Sequence, residues 1–157
     1  MYRVVFVCTG NTCRSPLAGV ALRGALGAEA DRVDVTSGGT AAWEGQPASE
    51  PSVTVAARDG FDLRSHRSRR VTPEWLRAAD LVVVMERSHL AGVLSLGADP
   101  ERTHVISEWP EPGAPDLTVY DPYGDSLEAY EETWHRIRTH VARIAPHVLE
   151  ALRTRSA

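Results

Sequence analysis

Near the amino terminus a thiol and a guanidinium share one short segment, Cys8-Thr9-Gly10-Asn11-Thr12-Cys13-Arg14-Ser15-Pro16, with five residues between Cys8 and Arg14. Cys8 ends an apolar run, Val4-Val5-Phe6-Val7, and Pro16 opens a helical pattern. A strand-to-helix turn of this kind suits anion binding, because the helix aims its positive end at the turn. Gly10 and Asn11 are residue types that adopt left-handed backbone angles, and such turns let successive amides converge on one anion. Arg14 adds a planar fork of donors matched to phosphate oxygens. Surroundings of this sort also favour a thiolate over a thiol. The expected chemistry is attack of Cys8 on phosphorus, giving a phosphocysteine. The loop amides and Arg14 would hold the equatorial oxygens of the transition state.

The elements that must position this loop follow from periodicity. Short runs rich in Val or Ile predict buried strands over 2–7, 32–37, 81–85 and 104–106. Helices are expected over 17–26, with Ser15 as N-cap and Pro16 as first helical residue, over 49–59, ended by Gly60, and over 73–79, capped by Thr72. In the last helix Leu127, Tyr130, Trp134, Ile137, Val141, Ile144, Val148 and Leu152 recur at spacings of three or four, and Pro146 is expected to kink or interrupt it. Strands alternating with helices predict an α/β fold, a parallel sheet covered on both faces. Ligands of such sheets bind beyond the carboxyl ends of the strands, where the first loop lies. Residues 107–124 hold Pro110, Pro112, Pro115, Pro122 and Gly113, and read as a long functional loop.

Composition narrows the class. A chain of 157 residues, 43% hydrophobic and 24% charged, suits one soluble domain over 1–157. A net charge of −4 argues against a nucleic-acid partner, and no run approaches the ~20 apolar residues of a membrane span. The chain enters a strand at once, which leaves no room for a signal peptide. The only cysteines, Cys8 and Cys13, make a structural disulfide framework unexpected and a reducing cytoplasm the best fit. Zinc would need about four ligands, and two are missing; no cofactor is called for. Cys13 reads either as a small buried residue or as a reversible disulfide partner that protects Cys8 from over-oxidation.

Transfer of phosphate to a thiolate leaves a group that needs a proton. Asp121, in Asp121-Pro122-Tyr123-Gly124, is the candidate acid. Pro122 restricts the backbone at Asp121 and can hold the carboxylate outward. The same group can then activate the water that hydrolyses the intermediate. Asp121 taken alone also reads as an ordinary turn residue, and Asp116 and Asp125 are lesser rivals.

Together these two motifs resemble the low-molecular-weight protein-tyrosine phosphatase family. The likeness runs through nearly the whole chain and includes Ser37-Gly38-Gly39-Thr40, Trp43, Gly60-Phe61-Asp62-Leu63, His66, Arg67 and Arg69. The resemblance implies a single-domain, four-stranded parallel sheet of flavodoxin-like type, acting on phosphorylated proteins. It implies that Cys8 is the nucleophile, Arg14 the phosphate clamp and Asp121 the acid. Thr9, Gly10, Asn11, Thr12, Cys13 and Ser15 would form the phosphate-binding loop. Asn11, Ser15, Ser37 and His66 would support it through hydrogen bonds, and Trp43 and Tyr123 would wall the cleft.

Three positions depart from that pattern. Tyrosine phosphatases of the family usually carry a branched apolar residue at Thr12 and a second aromatic at Gly124, and this chain looks more like the protein-arginine phosphatase branch. A threonine hydroxyl suits a polar guanidinium, and loss of an aromatic wall weakens stacking on a phenyl ring. Gly19 replaces an acid common just after the loop. Phosphoarginine is therefore the expected substrate and phosphotyrosine the alternative. Arsenate reductase shares a similar loop but needs further cysteines to relay a disulfide. A phosphocysteine transferase would release no free phosphate, and a non-catalytic phosphate-binding module would tolerate loss of the thiol.

Overall fold

A computed structural model of the chain describes residues 1–111 and 118–156. Four parallel strands, β1 (Tyr2–Cys8), β2 (Val33–Gly39), β3 (Leu81–Val84) and β4 (Thr103–Val105), lie in the order β2-β1-β3-β4. Helices cover both faces. Val4, Phe6, Leu81 and Val83 pack with α1 (Arg14–Leu26), α2 (Glu50–Arg58) and α5 (Leu127–Ser156). Val5, Val7, Val82 and Val84 pack with Leu76 of α3 (Pro73–Ala78) and Val93 of α4 (Leu90–Ser95). Because both faces are buried, the strands read as continuous apolar runs. This is the α/β, four-stranded parallel architecture expected.

The order places the site. The chain leaves β1 through α1 toward β2 on one side, then crosses to β3 on the other. The loops after β1 and β3 therefore diverge at one point of the sheet edge, where α/β folds open a binding crevice.

Boundaries moved in ways that matter. β2 runs on to Gly39, and Cys8 pairs with Gly39 in the β1–β2 register. Helix α1 starts at Arg14, so Ser15 is not its N-cap; Cys13 is, with no side-chain cap. Pro16 stays within the first turn, where its missing N–H has no helical partner to lose. Thr72 does cap α3, its Oγ1 accepting from the Trp75 amide at 3.2 Å. Helix α5 continues through Pro146 rather than being interrupted. Its buried stripe explains this: Ile137, Ile144 and Val148 are fully buried on both sides of the proline, each contributing about 1.5–3 kcal/mol. That is comparable to the ~3 kcal/mol cost of proline in a helix interior. Helix α4 was not anticipated. Within 107–124, Pro112, Gly113, Pro115 and Asp116 lie outside the described residues. Among those described, no helix is long and apolar enough to cross a membrane.

Candidate active site

The loop after β1 turns its carbonyls outward. Those of Cys8 and Thr9 accept from the amides of Thr40 and Ala41, each at 3.0 Å, and that of Thr12 from the Ser49 amide at 2.8 Å. The Cys13 carbonyl accepts from Ser52 Oγ at 3.2 Å, and the Asn11 carbonyl from His66 Nε2 at 2.7 Å. Among the described residues, the amides of Thr9, Gly10, Thr12 and Cys13 donate to no protein acceptor. A loop with five of its carbonyls spent and these four amides free is built for an anion. Gly39 permits this packing, since a Cβ there would stand 2.4 Å from the Thr9 carbonyl oxygen.

Asn11 is the loop's anchor. It is fully buried and has φ of 56°, the left-handed region. Gly10, by contrast, does not have positive φ, so the left-handed turn rests on Asn11 alone. Every polar group of Asn11 is engaged. Its Nδ2 donates to Ser15 Oγ at 2.8 Å and to Ser37 Oγ at 2.9 Å, and its Oδ1 accepts from the Arg69 amide at 2.9 Å. Its own amide donates to Cys8 Sγ at 3.2 Å. Five bonds over-determine a conformation that costs about 1–3 kcal/mol for a residue other than glycine.

Cys8 Sγ also lies 3.0 Å from Ser15 Oγ. Ser15 Oγ accepts from Asn11, and its one hydrogen has two acceptors in reach, the Gly38 carbonyl at 3.5 Å and the sulfur at 3.0 Å, of which a thiolate is the nearer and the charged one. Two donors, the Asn11 amide and the Ser15 hydroxyl, thus complement a negatively charged Cys8 sulfur. Ser15 serves the thiol instead of the helix end. Cys13 is a buried free thiol, 3.5 Å from the Tyr130 hydroxyl; burial, then the bond to Cys13, pushes that phenol's pKa up.

Arg14 is buried beneath the loop. Its Nη1 donates to the Glu86 carboxylate and, at 3.0 Å, to the Val119 carbonyl. Its Nη2 lies 4.0 Å from Asp121 Oδ2. One guanidinium therefore ties together the β1 loop, the end of β3 and the segment carrying the candidate acid. Arg136 holds the same segment through the Thr118 carbonyl at 2.9 Å. Asp121 Oδ1 accepts from the Tyr123 amide at 3.0 Å, and the carboxylate is half exposed. Cys8, Thr9, Gly10, Thr12, Cys13, Arg14, Asp121 and Tyr123 line one pocket of about 230 Å³. Asn11, Ser15, Ser37 and His66 stand behind it. Trp43 does not line it and is 79% exposed.

Glu86 and His89 were missed by sequence reasoning. His89 Nδ1 accepts from the Glu86 amide at 3.1 Å, so the proton sits on Nε2, which donates to Thr9 Oγ1 at 3.0 Å. Burial, then Arg14, lowers the pKa of His89, and burial lowers that of His66. The unfolded chain therefore binds these protons first as pH falls. Stability should be complete above the ordinary histidine value of roughly 6.5 and decline below it. Urea unfolding at pH 7.5 and 5.5 should show the drop. His89→Gln, which keeps a donor and an acceptor without titrating, should lose part of it; an unchanged pH dependence would remove His89 from this account.

The comparisons with known proteins agree with this geometry. The family model for low molecular weight phosphotyrosine protein phosphatase matches residues 3–155. A low molecular weight protein-tyrosine-phosphatase of Streptomyces coelicolor is 31% identical over 163 residues, covering 99% of each chain. Among solved structures, the low molecular weight protein tyrosine phosphatase from T. tengcongensis superposes with a TM-score of 0.82 at 33% identity, over 94% of this chain and 99% of that one. The YwlE arginine phosphatase from Geobacillus stearothermophilus also gives 0.82, at 29% identity, over 96% and 95%.

Proposed function

Since the chain belongs to the low molecular weight phosphotyrosine protein phosphatase family, we propose that it is a cysteine-dependent hydrolase with phosphoarginine in proteins as its preferred substrate. The observation that carries the mechanism is the Cys8 sulfur, held by the Asn11 amide and Ser15 hydroxyl, in one pocket with Arg14 and Asp121. In the first step the Cys8 thiolate attacks phosphorus, an S–P bond forms and the P–N or P–O bond to the side chain breaks. Asp121 gives its proton to the departing nitrogen or oxygen. Arg14 and the free loop amides hold the phosphoryl oxygens throughout. In the second step Asp121 takes a proton from water, whose oxygen attacks phosphorus, and inorganic phosphate and the thiolate are released. Chemistry that runs through a free thiol suits a reducing cytoplasm.

The substrate preference rests on two positions. Thr12, whose side chain carries a hydroxyl, lines the pocket. Gly124 has φ of 81°, a turn geometry that disfavours the aromatic side chain which would close the other wall. Tyr123 supports either substrate, since guanidinium and phenyl both stack on aromatic rings. Steady-state kinetics on matched phosphoarginine and phosphotyrosine peptides test the proposal. We expect kcat/KM to favour phosphoarginine, and Thr12→Ile to move the ratio toward phosphotyrosine by about tenfold, the scale of one polar contact. Equal or faster turnover of the phosphotyrosine peptide by the wild type would assign the phosphotyrosine reading instead.

A further inference from the structure

On the far side of Asn11 from the catalytic pocket, α1, β2 and the segment 62–69 enclose a second cavity of about 160 Å³. Its lining is cationic: Arg23, Arg67 and Arg69 all reach it, together with His66. The single acid, Asp62, is committed elsewhere. Its two oxygens accept a fork from Arg64 at 3.0 and 2.9 Å, which holds its pKa at about 2. Among the described residues, none of the three arginines pairs with a carboxylate within 4.0 Å, although most other arginines do. Arg23 Nη1 donates to the Val35 carbonyl at 2.7 Å, and Arg69 lies over the Trp75 ring at 4.3 Å. Burial lowers the pKa of Arg23, and only Asp34, acting through space, opposes this.

Gly19 explains why the seat opposite these cations is open. A Cβ built on Gly19 meets Arg23 Nη2 at 3.7 Å, ordinary contact. A glutamate here, four residues before Arg23 on α1, would supply the counter-charge from within. Ser37, His66 and Arg69 also line the cavity, and all three bond Asn11. Whatever neutralises the cavity therefore bears directly on the loop that holds Cys8.

We infer that this cavity is a second oxyanion site, separate from the Cys8 pocket, which takes a phosphate-class anion and tightens the catalytic loop through His66 and Asn11. Two sources share that chemistry: free inorganic phosphate and a second phosphoryl group on a substrate protein. Titration of isotopically labelled protein with inorganic phosphate, followed by NMR, tests the site. The Arg23 side-chain Nε–H and the His66 ring should shift with a saturation curve of their own, distinct from that of the Thr9 and Gly10 amides. Gly19→Glu and Arg23→Gln should each weaken the first curve at least tenfold, while the second stays a separate curve and weakens by no more than severalfold, the reciprocal of the tightening. A single curve for all four reporters in every variant, or the same shifts from chloride at equal ionic strength, would overturn the inference. Phosphate binding needs no turnover, so the result stands apart from the assignment of the Cys8 chemistry. A peptide with two phosphoryl groups identifies the source. A KM raised severalfold in Gly19→Glu supports the site with substrate as donor, and an unchanged KM beside the NMR result supports it with free phosphate as donor.

Discussion

Cys8→Ser is expected to remove turnover of every phosphorylated substrate, by at least about a thousandfold in kcat, the scale seen when a covalent nucleophile is lost. The two donors on the Cys8 sulfur, the Asn11 amide at 3.2 Å and the Ser15 hydroxyl at 3.0 Å, suit a large, polarisable anion. A serine hydroxyl on the shorter C–O bond sits farther from both and keeps its proton. It then competes as a donor in a network that offers it donors. Binding of inorganic phosphate should survive, because the free amides and Arg14 are untouched. Phosphate release under single-turnover conditions, beside a phosphate-binding isotherm, measures both. Residual turnover within tenfold of wild type would remove the phosphocysteine intermediate and leave direct attack of water on the bound phosphoryl group. Retained binding with no turnover separates a chemical loss from a collapsed loop.

The legible part of this site was local. Cys8 through Pro16 lie within one turn of the chain, so a strand, a left-handed residue and a helix start can be read from neighbours in sequence. The strands were legible for a similar reason, since a sheet buried on both faces leaves uninterrupted apolar runs. What was missed is non-local. Glu86 and His89 touch Arg14 and Thr9 only because β3 lies beside β1 in the β2-β1-β3-β4 order. Nothing around Glu86-Arg87-Ser88-His89 in the sequence announces that. The same holds for Gly39, whose missing Cβ matters only once β2 runs alongside Cys8. Ser15 was misread as a cap because a serine before a proline is a common cap signal, while its hydroxyl faces Cys8 and Asn11. Trp43 entered through family resemblance alone, and it does not line the pocket that Tyr123 lines.

Asp121→Asn should lower kcat on phosphoarginine by about 10²–10⁴, the range of general acid catalysis, and the loss should track the leaving group. Breaking the P–N bond of a phosphorylated guanidinium without a further proton expels a neutral guanidine, whose conjugate acid (pKa roughly 12.5–13.8) makes it a worse leaving group than a phenolate (about 10). Phosphotyrosine should therefore suffer less, and p-nitrophenyl phosphate least in the first step. With that ester the thiolate still attacks, and the phosphocysteine then waits for a water no carboxylate deprotonates. Stopped-flow measurement should show a burst of nitrophenol close to one per enzyme, followed by slow turnover. The geometry supports this division of labour. Arg14 lies 4.0 Å from Asp121 and grips the segment at Val119, so the carboxylate is held at the pocket that Cys8 also lines while remaining half exposed to water. The rival account makes Asp121 a turn residue whose Oδ1 caps the Tyr123 amide at 3.0 Å. Asparagine keeps that acceptor. If Asp121→Asn turns over all three substrates near the wild-type rate and gives no burst, the turn is the whole role and the proton comes from elsewhere. A loss graded by leaving group, with the burst, assigns Asp121 the proton in both steps.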